Sequence, residues 1–327
     1  MDEFVPPALL RNAHLMTIAC AFWPRRYPAL ASPSVREFEV ETGSRIRAEC
    51  HWQPEPRRHP TLVLVHGLEG SSESGYMRSA ADKALRHGFN VLRLNQRNCG
   101  GTEHLTPTLY NSGLSGDVRA VILELIERDG LPEIFAAGFS MGGNLVLKMA
   151  AEMGTAAPPE LRGVAGVCPA IDLAVCADAV GEGRNFVYER HFVRSLKKRM
   201  RHKARLFPER YPLDGLARVG SVREFDDVIT ARFCGFRDAD DYYARSSARR
   251  VLAAISIPAL IVAAQDDPMV PFASFSDPAI GANPHITLLA PRYGGHCGFL
   301  SRANHGERFW AEGQVVKFCL DHSHMGA

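Results

Sequence analysis

Gly138-Phe139-Ser140-Met141-Gly142-Gly143 lies between an apolar run at 133–139 and a helical pattern over 143–153. The pentapeptide G-x-S-x-G is weak by itself, because glycine and serine are common residues. Its strand–turn–helix setting gives it force. A chain that turns sharply at the serine needs neighbours without side chains two positions away, here Gly138 and Gly142. Such a turn holds Ser140 at a strained φ/ψ with its Oγ facing a cleft. A glycine-rich turn that only packs a helix close to a strand is the competing use of this pattern.

Outward from this turn, short apolar runs at 61–65, 90–94, 161–167, 259–264 and 286–290 read as strands buried on both faces. Helical patterns at 76–87 and 114–128 fall between them. That alternation predicts a mostly parallel sheet flanked by helices on both sides. Ahead of it, residues 35–41 alternate apolar and charged and pair through Gly43 with 45–52; the chain before them reads as irregular. From 172 to 250 the strand pattern stops and charge density rises. Its middle carries Arg190, Arg194, Lys197, Lys198, Arg199, Arg201, Lys203, Arg205 and Arg210, with Val193, Leu196, Met200 and Phe207 at helical spacing. We read 172–250 as a helical cap insertion over the sheet's carboxyl edge, within a single domain spanning 1–327.

A serine hydroxyl is a poor nucleophile and needs a general base that is itself held by a carboxylate. In this kind of fold the order along the chain is Ser, then Asp or Glu, then His. Asp266 and Asp267 follow the run at 259–264, and either could be the acid. His296, in Tyr293-Gly294-Gly295-His296-Cys297-Gly298-Phe299, follows the run at 286–290, and its glycines permit a loop that brings imidazole over the serine. At an ordinary pKa of about 6.5 this base predicts kcat/KM rising through about pH 6–7. By contrast His305, His322 and His324 sit in helix or tail contexts. The turn His66-Gly67-Leu68-Glu69-Gly70 after the first buried run supplies the backbone N–H of Leu68, which can pair with that of Met141 as an oxyanion hole. His66 is read as holding this turn by hydrogen bonds rather than as a second base.

Composition narrows the classes. The 327 residues carry 38 Lys+Arg against 36 Asp+Glu, so net charge makes no case for a nucleic-acid partner. The eight cysteines are scattered without a CxxC, and no HxxxH or HExxH occurs, so we expect reduced thiols and no metal or other cofactor. The opening Met1-Asp2-Glu3 is acidic and Pro6-Pro7 follows early, unlike a secretory signal. Apolar stretches at 163–181 and 251–264 are too short or too interrupted to span a bilayer, so no transmembrane anchor and a soluble, cytoplasmic location are expected.

Taken together, H-G-L-E-G-S-S (66–72), L-N-Q-R-N-C-G-G-T (94–102), G-F-S-M-G-G-N (138–144) and the run from Phe225-Asp226-Asp227 through Gly235-Phe236 to Asp241-Tyr242-Tyr243 resemble the α/β-hydrolases. Within that superfamily the chain is similar to the YheT-like branch, which includes plant EMB8 and animal abhydrolase-domain lipases. Asn12-Ala13-His14-Leu15 extends the match almost end to end; Met16 departs from the Gln usual after His-Leu. The resemblance implies carboxylic-ester hydrolysis, with small-molecule or lipid acyl esters of short to medium chain as substrates. It also favours Asp267 as the acid, since D-x-x-V-P resembles the usual acid turn, and leaves Asp266 to cap the turn or bond nearby backbone. The expected function is therefore a serine esterase using Ser140, His296 and Asp267. Acyl transfer or thioester cleavage on the same acyl-serine, or a non-catalytic binding protein on this fold, are the alternatives. The loop 97–102 either lines the pocket or buttresses the HGLEG turn, and buttressing is preferred. Cys297 is read as a packed thiol. The basic insertion helix is either a solvated surface or a weak contact for anionic lipid headgroups; oligomeric state is left open.

Overall fold

In this computed structural model, residues 3–304 and 307–324 are described. The chain enters through α1 (Ala13–Phe22) and an antiparallel hairpin of β1 (Ser34–Glu41) and β2 (Ser44–His51). It then alternates through β3 (Thr61–Val65), α2 (Gly75–Arg86), β4 (Asn90–Asn95), α3 (Ser115–Glu127), β5 (Ile134–Phe139), α4 (Met141–Met153) and β6 (Leu161–Val167). Helices follow without a strand: α5 (Leu173–Gly181), α6 (Phe186–Leu206), α7 (Val222–Phe225), a π-helical segment (Asp226–Ala231), α8 (Arg232–Cys234) and α9 (Ala239–Ser246). The alternation resumes with β7 (Ala259–Val262), α10 (Pro278–Ala282) and β8 (Ile286–Leu289), then a small hairpin of β9 (Leu300–Asn304) and β10 (Glu307–Phe309), and α11 (Trp310–His322). His305 lies outside the described residues.

The main sheet has eight strands in the order β1-β2-β4-β3-β5-β6-β7-β8. Pairing is parallel from β4 through β8, and antiparallel only where β2 meets β1 and β4. All five residues of β3 are buried, as an unbroken apolar run requires when helices cover both faces. Val63 and Val65 join the core under α3 and α4, while Leu62 and Leu64 face the core under α2 and α11. Each such side chain removed from water contributes roughly 1.5–3 kcal/mol.

Three helices, α1, α10 and α11, exceed what the sequence pattern predicted. The stretch read as irregular contains α1, capped by Asn12, whose side chain accepts from the Leu15 N–H at 3.0 Å. Only Met16 and Cys20 of α1 are buried, so its apolar residues on other faces blurred the periodicity. At the other end α11 packs Val315, Val316 and Phe318 beneath the sheet. Among the described residues, no helix is long and apolar enough to cross a membrane.

Candidate active site

Ser140 follows the last residue of β5 and N-caps α4 with φ 54° and ψ −117°, a conformation that L side chains rarely adopt. Its amide donates to the Val167 carbonyl at 2.8 Å, which locks the turn to β6. The flanking glycines are required by close approach. A Cβ on Gly138 would sit 2.0 Å from the Gly142 carbonyl oxygen, and one on Gly142 would sit 2.3 Å from that of Val65. Sequence spacing and backbone geometry thus meet at this turn.

The carboxyl ends of β7 and β8 carry the two other side chains. Ser140 Oγ lies 3.0 Å from His296 Nε2, and His296 Nδ1 lies 2.9 Å from Asp267 Oδ2. Asp267 is the carboxylate on the imidazole; its Oδ1 accepts from the Met269 and Val270 amides at 2.9 and 3.0 Å, which fixes the head. Asp266 instead accepts from the Gly295 N–H at 2.9 Å and steadies the histidine loop. Burial pushes the His296 pKa down, but the adjacent Asp267 carboxylate and Cys297 outweigh it and raise the value to about 9. A carboxylate only 2 % exposed beside the ring favours its protonated form, so the direction of the shift is upward from the ordinary histidine value used in the sequence reading.

The turn after β3 brings Leu68 to the same cavity as Ser140 and Met141. Among the described residues the Leu68 and Met141 amides have no hydrogen-bond partner, whereas the Gly67 amide donates to the Tyr76 hydroxyl at 3.0 Å. His66 is fully buried beneath the turn. Its Nε2 accepts from the Gln96 amide at 3.2 Å, so Nδ1 carries the proton and donates to the Gly67 carbonyl at 2.8 Å. Burial lowers its pKa to about 4, which keeps it neutral and structural. None of the six residues of the loop 97–102 lines the cavity. Arg97 makes a bidentate pair with Asp117 of α3 at 2.6 and 2.7 Å, and the Asn98 carbonyl accepts from Arg199, the residue that also grips Glu69 in the turn.

Sequence reading missed two supports. Thr17 of α1 accepts the His296 amide at 2.8 Å, so the N-terminal helix holds the histidine loop. Tyr76 of α2 fixes the turn through Gly67. The N-cap Asn12 was a legible signal for α1; nothing in the sequence pairs Tyr76 with Gly67.

The cavity over Ser140 has a volume of about 100 Å³ and a mainly apolar lining. Leu173, Val180, Leu196 and Val222 come from the helices between β6 and β7, and Met269 and Val270 from the acid loop. One acid faces this cavity, Asp226 at the start of the π-helical segment, accepting from Thr230 Oγ1 at 2.7 Å and the Tyr243 hydroxyl at 2.8 Å. Of the basic residues in α6, two turn inward: Arg199 reaches Glu69, and Lys203 Nζ donates to the Glu103 carbonyl at 2.7 Å. Cys168, His296 and Cys297 hold ligand atoms within 4.8 Å of one another, a grouping a soft metal could use. Both imidazole nitrogens are already engaged by Ser140 and Asp267, and Cys168 accepts the Cys297 amide at 3.3 Å. The bond with Cys168, against burial and together with the nearby His296, pulls the Cys297 thiol below its ordinary range.

Known proteins carry the same architecture. A family model described as alpha/beta hydrolase fold matches residues 60–303. The chain is 29% identical over 316 residues to YheT of Escherichia coli (strain K12), covering 96% of this chain and 92% of that one. It is 28% identical over 271 residues to phospholipase ABHD3 of Mus musculus, covering 81% and 65% of the two chains. The esterase Pf2001 of Pyrococcus furiosus superposes with a TM-score of 0.59 at 15% identity, covering 91% of this chain and 98% of that one, a likeness of fold alone. The chain belongs to the alpha/beta hydrolase fold family, and within it to the type of YheT and the abhydrolase-domain proteins.

Proposed function

We propose that the protein is a serine carboxylic-ester hydrolase, with Ser140 as nucleophile, His296 as general base and acid, and Asp267 as the group that orients the imidazole. The observation that carries this reading is the Ser140–His296–Asp267 chain of 3.0 and 2.9 Å contacts opening on an apolar cavity. In the first step Ser140 Oγ attacks the ester carbonyl carbon while its proton passes to His296 Nε2. The carbonyl oxygen becomes an oxyanion that the Leu68 and Met141 amides stabilise; a single such donor is typically worth about 10²–10³ in rate. Collapse breaks the bond to the alkoxide, which leaves with the proton from His296. Water then repeats the sequence on the acyl-serine, releasing the acid and restoring the hydroxyl.

Substrate class follows from the cavity wall. Its apolar lining suits acyl chains of short to medium length, with the helices of 172–250 acting as a cap over the serine. The relatives include proteins named phospholipase and monoacylglycerol lipase, which favours an ester of a lipid or small molecule. A fluorophosphonate probe tests the nucleophile: the wild type is expected to label and to hydrolyse p-nitrophenyl esters, and Ser140→Ala to do neither. Labelling that survives Ser140→Ala, or a wild type that never labels, removes this reading. An acyl-chain series of p-nitrophenyl esters then sets the preferred length.

A further inference from the structure

Helix α1, Ala-His-Leu-Met-Thr-Ile-Ala-Cys-Ala-Phe, contains no Asp, Glu, Lys or Arg. It buries Met16 and Cys20 against the core, yet on other faces Leu15, Ile18 and Phe22 are 54%, 43% and 83% exposed. Their i, i+3, i+7 spacing lines them up as one stripe. A helix apolar on every side belongs in an interior, and a soluble surface rarely leaves such a stripe uncovered.

The stripe does not stand alone. His14 Nδ1 lies 3.1 Å from the Tyr188 hydroxyl and the two rings stack at 5.7 Å, so α1 adjoins the start of α6. There Phe186 and Val187 are 61% and 54% exposed, extending the apolar surface. Farther along α6, Arg190, Arg194, Lys198 and Arg201 are exposed at spacings of four, four and three, one side of the helix. Among the described residues none of these four makes a side-chain hydrogen bond or ion pair, and α6 contains a single acid, Glu189. An apolar face beside a row of uncompensated cations matches a surface that offers hydrocarbon and negative charge together. A nucleic acid would leave the apolar stripe unused.

We propose that α1 and the exposed side of α6 form a docking face for an anionic lipid surface, seated beside the loop that carries His296. The link to that loop is direct, since Thr17 of the same helix accepts the His296 amide. Docked this way, the cavity takes acyl chains from the lipid phase rather than from water. The binding half of the proposal stands on its own; only the link to turnover rests on the esterase reading.

Vesicle flotation of the full chain tests it. The wild type is expected to float with phosphatidylcholine/phosphatidylglycerol vesicles, to bind pure phosphatidylcholine far less, and to be released by salt. Leu15→Ser/Phe22→Ser, exposed and outside the catalytic machinery, should cut the bound fraction about tenfold or more, and Arg190→Glu/Arg194→Glu should act similarly. Both variants should hydrolyse soluble p-nitrophenyl acetate like the wild type while losing activity on emulsified esters. The proposal fails if the wild type stays unbound at low salt, or if Leu15→Ser/Phe22→Ser binds equally well. It also fails if the wild type is a dimer that this variant dissolves, because the face would then belong to a second copy. Loss of p-nitrophenyl acetate hydrolysis in the wild type would instead remove the esterase reading and leave the docking result intact.

Discussion

Arg199 of α6 grips Glu69 in the turn after β3 with both ends of its guanidinium: Nε lies 3.1 Å from Oε1 and Nη2 lies 3.2 Å from Oε2. The pair is largely out of water, with the side chains 15% and 6% exposed. Glu69 also accepts the Tyr110 hydroxyl at 2.6 Å, and Arg199 donates to the Asn98 carbonyl at 3.0 Å. Since Glu69 directly follows Leu68 and holds φ 58°, the helix over the cavity is tied to the turn that presents the Leu68 amide.

That tie makes Arg199 a positioning residue. Arg199→Ala strands a buried carboxylate beside Tyr110, which should lower stability by about 3–5 kcal/mol. A displaced Leu68 amide should cost kcat about 10- to 100-fold with KM little changed. Glu69→Gln/Arg199→Met removes both charges and should recover most of the stability without recovering kcat. Thermal melts and ester kinetics on the same samples check both halves. A lowered Tm with normal kcat would reduce the pair to a structural bolt.

The pH profile follows from the His296 environment. Imidazole accepts the serine proton only when neutral, so kcat/KM rises with pH through the His296 pKa. That value is raised above 6.5 to about 9, chiefly by Asp267 and Cys297 against an opposing burial effect. The acid limb should therefore lie on the alkaline side of neutrality. In Asp267→Asn burial is left with less opposition, so the limb should move to lower pH while kcat falls about 10⁴-fold. A limb that stays in place in Asp267→Asn would mean that another group titrates.

How much of this was legible in sequence differs from residue to residue. Apolar runs located the parallel strands, since β3 and β7 are buried at every position. Strand β4 nevertheless buries Arg93, Asn90 and Asn95, and the edge strand β8 is only partly covered, against the reading of its run as buried on both faces. The spacing Gly138-x-Ser140-x-Gly142 is legible because backbone oxygens approach within 2.0–2.3 Å of where a Cβ would be. Turn chemistry separated Asp267 from Asp266 only through resemblance; the geometry does so by aiming one at imidazole and the other at the Gly295 amide. The inward turn of Arg199 and Lys203 was hidden, since a basic run reads as a solvated face until its partners are known. Nor does the pattern reveal that Thr17 holds the histidine loop across 279 residues. Such partnerships belong to tertiary packing.

Ser140 itself allows a comparison of backbone strain. Its φ of 54° with ψ of −117° penalises any residue with a Cβ, and glycine least. Ser140→Gly and Ser140→Ala both remove the hydroxyl, and both should be inactive. They differ in the elbow's strain, so the glycine variant should be more stable than the alanine variant by about 1 kcal/mol. Paired denaturant melts measure the difference. Alanine equal to or above glycine would mean that the turn stores no appreciable strain.

Asp226 gives a separable pH effect on stability. Its carboxyl is raised from the ordinary value to about 6, with burial pushing up and the bonds from Thr230 and Tyr243 pulling down. Folding therefore favours the protonated acid, so stability falls as pH rises from about 4 to about 6 and stays lower above that. Asp226→Asn keeps the shape, removes the charge, and faces hydroxyls that can turn to donate or accept. It should melt higher than the wild type by a few degrees at pH 7, and the gap should close below about pH 4. Removing the one carboxylate from a mainly apolar wall should also lower KM for medium-chain esters and leave kcat unchanged, because Asp226 is not hydrogen-bonded to Ser140 or His296. Melts across pH 4–8 decide the first part, and acyl-chain kinetics the second. A gap independent of pH would assign the difference to packing instead of ionisation.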